Sequence, residues 1–377
     1  MKLNNTNINF TILLASVNII LLLTFWIINQ NTLTPPYPHL SLESQDTRKI
    51  LKDPKLAKMY IQSSGSQKLM AKLLKDSGNG SEFDCHHQTH LIGRLSFEIL
   101  GPAAFKDGSY SCLSGYYHGV MESFLRKEGT DNLAQKISEI CNTFKTPFTK
   151  AQCLHGVGHG ILAFTNYELP AAINLCRELR EISEGAQCFG GVFMENIVTA
   201  HGNGANSNHK TAWVKDNDYH YPCTIFRNDQ IVNQWCYSSQ TSWMLTMNGS
   251  SFERVIAECL KTPNDSRSFC YRSLGKDIAG YHLRNPEKII EYCNKVPKQK
   301  DYYSACIIGG LNNIVDFVGP DIKNQGTQLC LIVPEITKGL CYTKLYSIFK
   351  RLNLNSEEIK KDCNDFEKEY KFICQKG

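Results

Sequence analysis

Sixteen cysteines, all downstream of a single apolar stretch, constrain this 377-residue chain more than any other feature. Fourteen of them fall into seven pairs: Cys141/Cys153, Cys176/Cys188, Cys223/Cys236, Cys259/Cys270, Cys293/Cys306, Cys330/Cys341 and Cys363/Cys374. Partners stand 11 to 13 residues apart, and the pairs recur mostly every 33 to 37 residues. Abundant cysteines in even number belong to oxidising compartments, where disulfides persist. The chain contains no CxxC, which counts against zinc ribbons and thioredoxin-type redox sites, and no CxxCH for haem attachment. The pairs therefore read as disulfides. Cys85 and Cys112 have no local partner and are expected to join each other.

A period near 35 residues is the size of a helical hairpin. Before Cys141, Leu133, Ile137 and Ile140 recur at helical spacing, as do Phe252, Val255 and Ile256 before Cys259. The first cysteine of each pair should therefore end a short amphipathic helix. Helix starts are marked at Leu169-Pro170, Asn285-Pro286-Glu287 and Ser356-Glu357. The second cysteine should open a second helix. Three residues beyond it stands a small residue in most repeats (Gly115, Gly156, Gly191, Ser239, Ser273, Gly309). Glycine within a helix costs about 1 kcal/mol against alanine, so its recurrence points to close helix–helix approach or to backbone open to a ligand. Closing a loop of this size with a disulfide stabilises by roughly 3 kcal/mol in the chain-entropy description. The expected fold is all-α: an α-solenoid of disulfide-stapled helical hairpins after one N-terminal transmembrane helix.

Over residues 130–377 the cysteine rhythm, with small residues after the second cysteine, loosely resembles the Sel1-like cysteine-rich helical repeat proteins. The cysteine loop is longer here, and the alanine- and glycine-rich consensus of that family is missing. The resemblance implies a secreted, curved stack of hairpins that binds partners; it implies no catalytic residue.

Residues 8–28 are apolar over a length that suits one membrane span. Lys2 precedes this segment and no basic residue follows until Arg48, which places the N-terminus in the cytoplasm and the bulk of the chain outside. No A-x-A cleavage site is evident, so the segment reads as a signal anchor. The expected layout is a short cytoplasmic N-terminus and anchor over 1–29, a proline-containing stalk over 30–47, histidine-rich repeats over 48–201, a long loop over 202–222 and further repeats over 223–377.

Seven of the eleven histidines lie between residues 86 and 201, mainly in the first three of the second-type helices. His86 and His90 are four apart, as are His155 and His159, so each pair shares one helix face and can share one ion. His118 and His159 both stand six residues after their cysteine, at equivalent places on successive helices. Helices packed about 8–10 Å apart can bring such residues together. His86, His90, His118, His155 and His159 are the expected metal ligands, and imidazole suits zinc, iron or copper. Glu122 and Glu195 are the carboxylates placed to act as a catalytic general base on metal-bound water. Arg94 and Glu98 continue the His90 face and could pair with each other. His87 and His201 read as satisfied polar residues, and Tyr116, Tyr117, Phe193 and Met194 as core.

The net charge of +5 is spread without a dense basic block, which argues against nucleic acid as a partner. No GxSxG, P-loop or dinucleotide fingerprint occurs. Two functions remain open. One is a membrane-anchored extracytoplasmic protein whose histidines hold a transition metal, with hydrolytic or redox chemistry at that site. The other is a metal-free scaffold that meets a protein partner on the solenoid surface. Convergence of the histidines separates them.

Overall fold

Helix starts follow the capping residues. Thr146 accepts from the Thr149 amide ahead of Pro147, Asp229 from Val232, Ser251 from Arg254 and Asn285 from Lys288. Each side chain satisfies a donor that the first helical turn leaves open. A computed structural model of the chain describes residues 46–377 apart from 78–81, 110, 113, 203–210, 300, 317–321, 353–354 and 376–377. The expected anchor, nearly all of the stalk and residues 203–210 of the long loop lie outside the described residues. Among the described residues no helix is long and apolar enough to cross a membrane.

The described residues are helical, with a single isolated bridge between Lys215 and Asp218. Three helices come first: α1 (Thr47–Lys52), α2 (Pro54–Ser64) and α3 (Ser66–Ser77). Next are α4 (Glu82–Leu100), α5 (Gly115–Glu128), α6 (Leu133–Cys141), α7 (Pro147–Phe164), α8 (Leu169–Arg177) and α9 (Ile182–Ala200). After the long loop follow α10 (Gln230–Met247), α11 (Phe252–Lys261), α12 (Arg267–Tyr281), α13 (Pro286–Cys293) and α14 (Tyr302–Asp316). The last are α15 (Ile322–Ile332), α16 (Glu335–Leu352), α17 (Ser356–Asp362) and α18 (Phe372–Gln375).

All eight expected disulfides are present, Cys85–Cys112 included, with Cα atoms 5.5 to 6.3 Å apart. Most later repeats set a short helix before a long one, as α6 before α7 and α11 before α12, while the last has only the short α17 and α18. The short helices bury one stripe: in α11 only Phe252, Val255, Ile256 and Cys259. The second cysteine does not open its helix as expected. Cys153, Cys188, Cys236 and Cys341 lie well inside α7, α9, α10 and α16; the Thr146 cap with Pro147 starts α7 earlier, and the Asp229 cap does so for α10. Cys223 also departs from the pattern, beginning a short 3-10 turn, Cys223–Phe226, after the long loop.

The long helices pack in chain order: α4 on α5, α5 on α7, α7 on α9, then α10, α12, α14 and α16. The stack curves strongly enough that α16 returns to touch α7, so α7, α9, α10, α12, α14 and α16 make a closed circuit of contacts.

Glycines set the closest approaches. A methyl at Gly93 would collide with the Tyr116 carbonyl and one at Gly119 with the His90 carbonyl, locking α4 to α5 from both sides. Gly158 meets Cys188 and Gly191 meets His155 between α7 and α9; Gly275 and Gly309 do the same between α12 and α14. Close packing thus accounts for Gly115, Gly191 and Gly309 among the recurring small residues, while a methyl at Gly156 would meet only ordinary contacts.

Candidate metal centre

Four successive long helices, α4, α5, α7 and α9, carry the site. His86 and His90 lie on α4, His118 and Glu122 on α5, His155 and His159 on α7, and Glu195 on α9. The glycine contacts draw these helices together beside the histidines, since Gly119 abuts the His90 carbonyl and Gly191 the His155 carbonyl.

All five expected ligands converge. Nε2 of His90 lies 3.1 Å from Nε2 of His86 and 3.3 Å from Nδ1 of His118. Nε2 of His159 lies 3.2 Å from Nε2 of His155. The His118 and His159 rings stack with centroids 3.9 Å apart and 13° between planes. Two groups of three offer ligand atoms within 4.8 Å of one another: His86, His90 and His118, and His118, His155 and His159. The first group is buried throughout, while His155 in the second keeps partial access to solvent.

The outer edges of the rings are held. His86 Nδ1 lies 2.8 Å from the Cys112 carbonyl, which the left-handed backbone at Cys112 (φ 56°) helps to orient. His159 Nδ1 lies 2.8 Å from Oε2 of Glu195, and His155 has a backbone hydrogen bond with Gln187. With Nδ1–H donating outward, His86 and His159 turn their Nε2 lone pairs into the cluster. Outer partners of this kind fix the tautomer and orientation of ligating histidines.

Burial, more than any neighbouring charge, holds all five imidazoles neutral: His86 and His155 are pushed down to about 4, and His90, His118 and His159 well below the ordinary value. Neutral imidazole is the form that binds metal. Burial, followed by the nearby Glu122 carboxylate, pushes Glu195 up to about 8, with Arg94 and Thr199 pulling the other way. Glu122 is clasped by Arg94 at 3.0 Å and Arg126 at 2.9 Å.

The carboxylates expected as general bases thus have other contacts, Glu195 with His159 and Glu122 with two guanidinium groups. Arg94 does not pair with Glu98, as its spacing on α4 suggests; it reaches across to Glu122, while Glu98 pairs with Lys58. His87 joins neither group, and His201 bonds Thr246 at 2.8 Å, away from the cluster. Tyr116, Tyr117 and Phe193 are buried as expected, and Met194 half-buried. The Cys112 carbonyl, Gln187, Arg126 and Lys276, whose charge reaches His155, escaped the sequence reading. Of these, Arg126 carries a sequence signal, standing four residues after Glu122 on the same helix; backbone groups are silent there, and Lys276 comes from a distant repeat.

No protein-family model, curated protein or solved structure matches this chain. The site must be judged on its chemistry. Four nitrogens at 2.0–2.1 Å from a tetrahedral ion are spaced about 3.3–3.4 Å apart, close to the 3.1 to 3.3 Å found between paired ring nitrogens here. A proton on His90 Nε2 can serve one of its two facing nitrogens well, not both. Nε2 of His118, although buried, has no hydrogen-bond partner. Such an atom costs about 1–3 kcal/mol, and a cation accepting its lone pair would remove that cost.

Proposed function

We propose that this chain is a membrane-anchored extracytoplasmic protein whose histidine cluster binds a transition metal. One observation carries the reading. Five neutral imidazoles from three helices meet inside the protein, with paired ring nitrogens 3.1 to 3.3 Å apart and Glu195 on the outer edge of His159. Proton sharing alone leaves lone pairs opposed in such a cluster, whereas zinc, copper or iron would use them. Eight disulfides support an oxidising, extracytoplasmic location. The apolar segment at 8–28 supports the anchor.

A bound ion would be held by imidazole nitrogens, with His155 on the side nearest solvent. It would act there as a Lewis acid or an electron carrier. Glu195 holds the His159 ring and Glu122 is neutralised by two arginines, so both support the site more directly than they reach into it.

The test is elemental analysis of the full chain, made through an oxidising secretory pathway and purified without a histidine tag. At least one equivalent of a transition metal per chain is expected. Protein that arrives without metal and takes up no zinc, copper or iron would overturn the reading and favour the metal-free scaffold.

A further inference from the structure

We infer that the cluster is a two-ion centre in which His118 is shared, one ion sealed beside His86 and His90, the other nearer solvent beside His155 and His159. The inference rests on the metal reading and goes beyond it.

A single ion does not account for the arrangement. The ligand atoms fall into two groups of three, and only His118 belongs to both. Its Nδ1 faces His90 Nε2 at 3.3 Å. The two nitrogens of one imidazole diverge, so an ion bound by Nδ1 is out of reach of Nε2. Nε2 of His118 is buried and has no hydrogen-bond partner. It lies on the ring that stacks against His159 and stands 5.5 Å, centroid to centroid, from His155. His155 and His159 already present Nε2 atoms 3.2 Å apart, a ligand edge of their own.

The two sides differ. Beside His86 and His90 two of the three nitrogen pairs already stand at ligand spacing, all on buried residues. On the other side the His118 and His159 rings lie nearly parallel, and must tilt out of their stack to aim at one ion. The sealed side should therefore fill first and hold more tightly. When the second ion enters, the remaining N–H bond of His118 breaks as the new metal–nitrogen bond forms, and the proton leaves to solvent. The resulting imidazolate bridges the two ions.

The experiment is a cobalt(II) titration of the full chain in detergent after removal of metal by a chelator, followed by visible absorption and by metal content after gel filtration. Two equivalents are expected, the second bound at least ten-fold more weakly. His86→Gln should keep one equivalent, the weaker, and His155→Gln should keep one, the tighter. Far-UV circular dichroism and a count of free thiols check that each variant is folded. Saturation of the unaltered protein at one equivalent, lost in both variants, would overturn the two-ion centre and leave metal binding intact. No uptake by the unaltered protein would overturn both readings.

Discussion

Acid should unfold the metal-free protein early, through the same burial that keeps its histidines neutral. His86 and His155 are held at about 4 against an ordinary 6.5, and His90, His118 and His159 well below that ordinary value. The folded values are depressed, so the unfolded chain binds protons that the folded chain refuses. The stability tied to these groups is whole above pH 6.5 and is lost as pH falls toward the folded values. Glu195 works in the opposite sense. Its value is raised to about 8 from 4.5, so its contribution is whole below 4.5 and is lost as pH rises through 8. Between pH 6.5 and 4.5 the unfolded chain carries five extra histidine protons and the folded chain one extra on Glu195, a net difference of four. At roughly 1.36 kcal/mol per proton per pH unit, stability should fall by about 5 kcal/mol per pH unit. A typical domain has only about 5–15 kcal/mol in total. Urea unfolding of chelator-treated protein, disulfides intact, would measure this at pH 7.5, 6.5 and 5.5 by near-UV circular dichroism. The double variant His86→Gln/His155→Gln removes two of the five protons and should reduce the slope to about 3 kcal/mol per pH unit. A stability that holds level or rises from pH 6.5 to 5.5, or an unchanged slope in the double variant, would refute the reasoning.

Two further outcomes follow from the packing around the cluster. Glu195→Gln should lower metal affinity about 10- to 100-fold by weakening the hold on the His159 ring, measured by competition with a chelator of known affinity; an unchanged affinity would mean that the carboxylate does not orient that ligand. Gly191→Ala should destabilise the chain by about 1–3 kcal/mol, because its methyl meets the His155 carbonyl, and urea unfolding at pH 7.5 would show a lower midpoint.

Much of this was legible in the chain because the informative residues report on neighbours close in sequence. Paired cysteines 11 to 13 residues apart announce a hairpin, and seven bridges formed as the spacing suggested, while Cys85–Cys112 joined the two cysteines left without a local partner. The i, i+4 histidines and the shared offset of His118 and His159 from their cysteines carried enough geometry to gather five histidines. Contacts between repeats were harder to read. Arg94 had an apparent partner four residues away in Glu98, yet the buried Glu122 carboxylate, with few other means of compensation, drew it across the helix interface. Likewise, periodicity alone could not sort the five histidines into two groups of three that share His118, since the sorting depends on which way that ring lies. The return of α16 to α7 was hidden for a related reason: curvature comes from a small rotation at each repeat, and no single residue encodes the sum.

That return contact bears on how the chain can change. An open array can gain or lose a unit at little cost, because each unit answers only to its neighbours. Here the helix Glu335–Leu352 also answers to Pro147–Phe164, which carries His155 and His159. Inserting or deleting one hairpin anywhere between them would shift the rotation at which the ends meet and unseat the helix bearing two of the five imidazoles. Copy number in this stretch is therefore coupled to the histidine pocket, and length variation between relatives should fall in the loops and not in whole repeats.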